Sequence, residues 1–317
     1  MPTARAFWVR EPGAGEIRPV PLPSPGPDEV LVRTRFSGVS RGTETLVFQG
    51  RVPASQYAVM RAPFQEGDFP GPVKYGYLNV GQLDDGRLVF CLYPHQTAYV
   101  VPASAVTVVP DGIPPDRAVL AGTVETAINA LWDAAPLIGD RVTVVGAGMV
   151  GCCVARLLAR MPGVTVTLVD IDPGRAPVTD ALGTRFSEPG AADGGQDLVV
   201  HTSASATGLQ LSLDLLATEG TVIELSWYGA APTEIHLGGR FHSGRLTVRA
   251  SQVGMIAPAR RGRRTFSQRL ALAVDLLQDN AFDALITGSS PFAELPDVMA
   301  ALADGRLPAL CHTITYE

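Results

Sequence analysis

Residues 142–151 read VTVVGAGMVG, and no other stretch narrows the possible folds of this chain as far. An apolar run over 141–145 ends in a glycine turn, which opens onto a helix-patterned segment over 149–161. The turn has the spacing G-x-G-x-x-G at Gly146, Gly148 and Gly151, and Pro162-Gly163 closes the helix. A second apolar strand over 164–171 then carries Asp170, roughly 20 residues past the last glycine. Each glycine has its own physical reason. Gly146 permits the tight turn, Gly148 lets backbone approach a pyrophosphate, and Gly151 lets helix and strand pack closely. Met149 and Val150 begin the helix, whose free N–H groups and partial positive charge suit phosphates. Asp170 can accept hydrogen bonds from both hydroxyls of an adenosine ribose, whereas a 2′-phosphate would meet its carboxylate. The cofactor expected is therefore NAD. Arg175 either contacts a phosphate or caps the adenine side.

The pattern around this turn alternates. Strands are expected over 197–202, 221–226 and 246–250, and helices over 176–182 and 207–218. Alternating strands and helices with apolar strands imply an α/β fold, a Rossmann-type doubly wound parallel sheet covered on both faces. Thr202 and Ser203 follow the strand that ends near His201, at the sheet edge where ligands bind, and are expected at the cofactor. His201 and the pair Trp227-Tyr228 share that edge.

Before residue 115 the texture differs. Short alternating runs over 29–36, 87–92, 97–101 and 106–109 suit half-buried strands. Residues 42–72 form an irregular stretch, the kind of long loop where binding often happens. A single helix is expected over 115–135. The tail reads as a helix over 265–278, a strand over 284–287, a helix over 295–303 and a strand over 311–316.

Composition sets outer limits. With 317 residues, 46% of them hydrophobic and 18% charged, the chain can build two cores. A net charge of −6 disfavours nucleic acid as a partner. No apolar run approaches the roughly 20 residues of a membrane span, and the opening MPTARAFWVR lacks a secretory apolar core, so a cytoplasmic address is expected. The four cysteines, Cys91, Cys152, Cys153 and Cys311, form no C-x-x-C, and the five histidines are scattered. Buried reduced thiols and no metal site are expected.

The order of a β-rich front, a dinucleotide-binding centre and a short returning tail resembles the medium-chain dehydrogenase/reductase superfamily, particularly its zinc alcohol and polyol dehydrogenase branch. Residues 37–50 (SGVSRGTETLVFQG) resemble the family's G-x-C-x-T-D segment, 76–81 (GYLNVG) its G-H-E-x-x-G, and 124–131 (VETAINAL) the helix that carries a third zinc ligand. The resemblance implies a GroES-like catalytic domain over 1–125, an NAD-binding Rossmann domain over 126–258, and a segment over 259–317 that returns to the catalytic domain. It places Ser40 at the first zinc ligand, a cysteine in the family, Tyr77 at the second, a histidine, and Leu78 at the glutamate that follows. Only Glu125 matches a ligand, and the four-cysteine structural lobe is missing. Serine, tyrosine and one glutamate make a poor zinc site.

The resemblance then implies hydride transfer between an alcohol and a carbonyl on a small-molecule substrate, without the ion's Lewis acidity. The Tyr77 phenol is the first candidate proton donor, with Lys74 expected to stabilise its phenolate and lower its pKa. Tyr75 is the alternative phenol, and both rings can instead fill the volume left by an ion. Thr43 matches a proton-relaying threonine and Glu44 its acidic neighbour, expected to pair with Arg41. His95 is a candidate for proton exchange with solvent. Glu125 accepts a substrate hydroxyl or satisfies buried backbone. Residues 260–264 (RRGRR), with Arg269, hold a substrate anion or form a solvated loop. Two other readings compete: a metal-free reductase of activated C=C bonds, and a non-catalytic NAD sensor. The family analogy also implies a homodimer.

Overall fold

The computed structural model describes residues 2–317. Its contacts divide the chain into two units. One holds the residues up to Gly122, with Leu270–Gln278 and Ile286–Glu317; the other holds Thr123–Arg269 and Asp279–Leu285. The tail is thus shared between them. Residues 259–269 and 279–285 stay with the central unit, and the remainder goes to the front unit.

The central unit is built on a six-stranded parallel sheet. From edge to edge it runs Arg185–Ser187, Thr165–Val169, Arg141–Val145, Gln196–His201, Leu216–Glu224 and Thr247–Ala250. Numbered by sequence within this sheet, the order is 3-2-1-4-5-6, the dinucleotide-binding arrangement. Its direction reverses between Arg141–Val145 and Gln196–His201. The middle strands are apolar on both faces because helices cover both: Val142, Val144, Leu168, Val199, Val200, Val222 and Ile223 are all buried. Helix Ala206–Leu215 contributes Leu209 and Leu213, four residues apart on one stripe, to a core with Val145, Val169, Val199 and Val222.

The front unit is mostly antiparallel. A seven-stranded sheet contains Ile286–Pro291, Cys311–Thr315, Glu29–Val39, Asn79–Gln82, Leu88–Cys91 and Val106–Val108, with Ala98–Pro102 also paired to Glu29–Val39. The last strand, Cys311–Thr315, pairs antiparallel with Glu29–Val39, so the chain's end completes a sheet begun near its start. A second sheet is founded on a hairpin of Thr3–Glu11 and Ala14–Pro21.

Several expectations are corrected. The stretch over 42–72 is not wholly irregular: Arg41–Phe48 is a helix that buries Glu44, Leu46, Val47 and Phe48. The helix expected over 115–135 is two, Pro115–Ala118 and Ala121–Ala134. The strand expected over 284–287 lies instead at Ile286–Pro291.

Candidate functional site

In the central unit the glycine turn takes the form its sequence requires. Gly146 has φ +108°, outside the range L side chains favour, and its N–H donates to the Val169 carbonyl at 2.8 Å. A Cβ on Gly151 would stand 2.7 Å from Thr202 Oγ1, so only glycine lets the helix Met149–Ala159 start there. Gly148 has open space where its side chain would be, and it caps that helix without a side-chain bond, leaving the first-turn amides of Met149 and Val150 to an outside acceptor. Thr202 is part of the scaffold, its hydroxyl donating to the Gly146 carbonyl at 2.8 Å.

Asp170 closes over the turn. One carboxylate oxygen accepts the Ala147 N–H at 2.7 Å and the other the Asp172 N–H at 2.9 Å. A carboxylate has about four acceptor positions, so each oxygen retains capacity for a further donor. Arg175 is held by Asp172 (3.2 Å) and is 17% exposed. The two roles expected of it, on a phosphate or over an adenine, meet this competing ion pair.

Ser203 lies against Gly146, whose added Cβ would be 2.8 Å from the Ser203 nitrogen. Its hydroxyl meets His201 Nε2 at 2.7 Å. On the other side of that ring, Nδ1 meets Glu224 Oε2 at 2.7 Å, and the Tyr228 hydroxyl donates to the same oxygen at 2.9 Å. Burial pushes the Glu224 carboxyl up, but hydrogen bonds from His201 and Ser226 outweigh it and hold it below the usual carboxylate range.

In the front unit the second group of residues converges. Ser40 precedes helix Arg41–Phe48, and Glu44 reaches back to accept the Ser40 N–H at 2.7 Å. The other Glu44 oxygen meets His95 Nε2 at 2.8 Å; His95 Nδ1 meets Ser37 Oγ at 2.7 Å, and Ser37 meets the Tyr316 hydroxyl at 2.8 Å. The carboxylate can only accept here, so His95 Nε2 is the donating nitrogen. The Tyr77 phenol is half-buried, with the Ser40 and Thr43 side chains near enough to favour its ionised form slightly. Burial first, and Glu44 second, raise its pKa to about 12.

This corrects the expected partnership of Tyr77 with Lys74. Lys74 is the single lysine of the chain and is 1% exposed. It pairs with Glu66, donates to Gln96 Oε1 at 2.8 Å and lies over the Tyr93 ring. Burial lowers its pKa, and Glu66 pulls the other way. Its ammonium is thus committed to Glu66 and Gln96, and the phenol it was to activate is shifted upward. Tyr75 is buried, its ring edge-on to Tyr77 at 6.0 Å, and burial pushes its pKa well up. His95 is 1% exposed, which does not suit the direct proton exchange with solvent expected of it.

Glu125 is also committed. Arg269 Nε reaches its carboxylate at 3.0 Å, and the same guanidinium bonds Asn129 Oδ1 at 2.6 Å and the Val253 carbonyl at 2.5 Å. Both ends of the pair are almost fully buried. Burial holds Glu125 above the usual carboxylate range, against the pull of Arg269. Arg269 therefore does not join residues 260–264, whose arginines are exposed, with Arg260 5.9 Å from the Trp132 ring. The positions that resemble zinc ligands thus hold a serine, a phenol and a carboxylate paired with arginine, and the residue after the phenol is a fully buried leucine, Leu78. This donor set does not fit zinc, which binds thiolate, imidazole or free carboxylate. Among the described residues no three His, Cys, Asp or Glu side chains converge as a metal site.

No family model matches the chain. It is 26% identical over 253 residues to D-guloside 3-dehydrogenase of Escherichia coli K12, covering 68% of this chain and 71% of that protein. Its fold superposes on L-idonate 5-dehydrogenase from Escherichia coli with a TM-score of 0.81, at 14% identity over 99% of this chain and 98% of the other. The fold is the one implied by the resemblance to the medium-chain dehydrogenase/reductase superfamily. Acetophenone reductase from Geotrichum candidum, solved in complex with NAD, has the same fold at a TM-score of 0.79 and 18% identity, covering 99% of this chain and 98% of that one. Of these features, the glycine turn and Asp170 were legible from sequence. The His95–Glu44 and His201–Glu224 pairs were not, because nothing local joins residues 51 or 23 positions apart.

Proposed function

We propose that the protein is an NAD(H)-dependent oxidoreductase that interconverts an alcohol and a carbonyl on a small molecule without zinc. The observation that carries the reading is Asp170 clasped on the glycine turn by the Ala147 N–H at 2.7 Å. There it presents a carboxylate to ribose hydroxyls and repels a 2′-phosphate, while Arg175 is already paired with Asp172. The amides of Met149 and Val150 would hold the pyrophosphate. When bound, the nicotinamide supplies or takes the hydride.

The chain's own residues handle the proton. With its pKa raised to about 12, Tyr77 is a neutral phenol at pH 7, a donor to an alkoxide and not a phenolate base. The Ser40 and Thr43 side chains favour the charge the phenol takes on when it gives up the proton. Glu44, His95, Ser37 and Tyr316 form a buried hydrogen-bonded chain beside it. Zinc independence is supported by the residue types at the three ligand-like positions, Ser40, Tyr77 and Glu125. A homodimer is supported by the edge strand Thr247–Ala250, exposed along its whole length.

Protein purified without chelator should contain far less than one zinc per chain and should oxidise NADH with some member of a panel of ketones, aldehydes and enones. Stoichiometric zinc after dialysis would overturn the metal-free reading. Turnover confined to enones would replace the alcohol–carbonyl reaction with C=C reduction, and tight NADH binding with no turnover would leave a sensor.

A further inference from the structure

The network at the end of strand Gln196–His201 has an order of groups that hydride transfer does not require. Ser203 is exposed, and its Oγ lies 2.7 Å from His201 Nε2; His201 is fully buried, and its Nδ1 lies 2.7 Å from Glu224 Oε2. Glu224 is in turn fixed by the Ser226 N–H at 2.7 Å and the Tyr228 hydroxyl at 2.9 Å. Because the carboxylate accepts, Nδ1 bears the ring proton, and Nε2 is left with a lone pair aimed at the serine hydroxyl. This is nucleophile, base and orienting acid in sequence.

The backbone agrees. Ser203 stands on a strand–turn–helix junction at the C-terminal edge of the parallel sheet, and the next residue, Ala204, has φ +53°, an uncommon value for a residue with a side chain. The Ala204 N–H donates to Ser226 Oγ at 3.0 Å, which pins the turn to the strand that carries Glu224. Helix Ala206–Leu215 begins just beyond, and the amides of Ala206 and Thr207 have no acceptor within the helix. Gly208 leaves the room the imidazole needs, since a Cβ there would come within 2.8 Å of Nε2.

We propose that Ser203, His201 and Glu224 form a second catalytic site, one that hydrolyses small carboxylic esters through an acyl-serine. Ser203 Oγ bonds to the ester carbonyl carbon as its proton passes to His201 Nε2. The carbon–oxygen bond to the alcohol breaks, and the alcohol departs with that proton. Water then attacks the acyl carbon, gives a proton to Nε2, and releases the carboxylic acid as Ser203 recovers its hydrogen. Glu224 holds the imidazole in the accepting tautomer throughout and stabilises the imidazolium. Besides His201, the hydroxyl lies 2.9 Å from Ser205 Oγ and against Gly208, both small, which favours a short acyl group. No step uses a nicotinamide, but Ser203 borders the glycine turn at Gly146, so the test is run on protein free of NAD(H), where its failure leaves the hydride reading untouched.

The full chain would be treated with a fluorophosphonate, which loses fluoride to an activated serine, and the adduct mapped by mass spectrometry of the digest. Hydrolysis of p-nitrophenyl acetate would be followed in parallel for wild type, Ser203→Ala and Glu224→Gln. One adduct per chain on Ser203 is expected, with hydrolysis lowered about 10²-fold in Ser203→Ala and markedly in Glu224→Gln. Absence of an adduct on wild type, an adduct on another residue, or wild-type hydrolysis by Ser203→Ala would each overturn the site. The mapping on unaltered protein decides the matter even if a variant folds poorly.

Discussion

Tyr77 and Arg269 show how far a residue's neighbours decide its role. Tyr77→Phe removes the only proton on that ring's oxygen while keeping its packing against Tyr75. Turnover should fall about 10²-fold with NADH affinity nearly unchanged, the range for loss of a general acid; stopped-flow rates and calorimetry measure both. Arg269→Met leaves Glu125 buried without its cation, and stability should drop by about 3–5 kcal/mol at pH 7. The sign of the pH effect follows from Glu125, whose carboxyl is held above its ordinary range when folded. Such a group binds its proton more tightly folded than unfolded, so the loss should shrink as pH falls towards the ordinary carboxylate range and grow as it rises. Thermal melts at pH 7 and pH 5 would show the gap between variant and wild type narrowing on acidification; a widening gap would refute this account of the pair. Glu125 was readable as a candidate from its helix, but its partner lies 144 positions away, and residue type alone does not distinguish a site carboxylate from a structural one.

Among the elements, the glycine turn and its helix carry the firmest expectation. In Gly151→Ala the new methyl meets Thr202 Oγ1 at 2.7 Å, and that hydroxyl must abandon the Gly146 carbonyl. The variant should melt earlier and lose NADH affinity about tenfold or more, as calorimetry would show, because both the turn and the helix start move. Elements with a local signature were legible. The helix Leu295–Ala303 and the strand Arg141–Val145 fall where their periodicity puts them. The helix Arg41–Phe48 was hidden, since its glycine and two threonines are weak helix formers and it is held instead by burial of Leu46, Val47 and Phe48. The hairpin from Thr3 to Pro21 was missed because Pro19, Pro21 and several arginines blur its alternation; only the cross-strand pairing reveals it.

For the whole molecule, composition excluded more than it identified. Among the described residues no helix is long and apolar enough to cross a membrane. The last strand, paired with Glu29–Val39, ties the ends of the sequence into one unit. That return came from resemblance, not from any local pattern. The outer strand Thr247–Ala250 pairs on one side only, with Leu216–Glu224, and such an edge invites a second copy. Sedimentation should give a dimer for the wild type, and Val248→Lys on this edge should shift it towards monomer; a monomeric wild type would remove the edge from consideration.

Lys74 has a practical corollary. With one lysine in 317 residues and its Nζ sealed under Glu66 and Gln96, succinimidyl esters and amine cross-linkers find no side-chain handle on the folded protein. Acylation at that position would count only molecules whose front sheet had opened, giving a covalent tally of local unfolding from a single peptide.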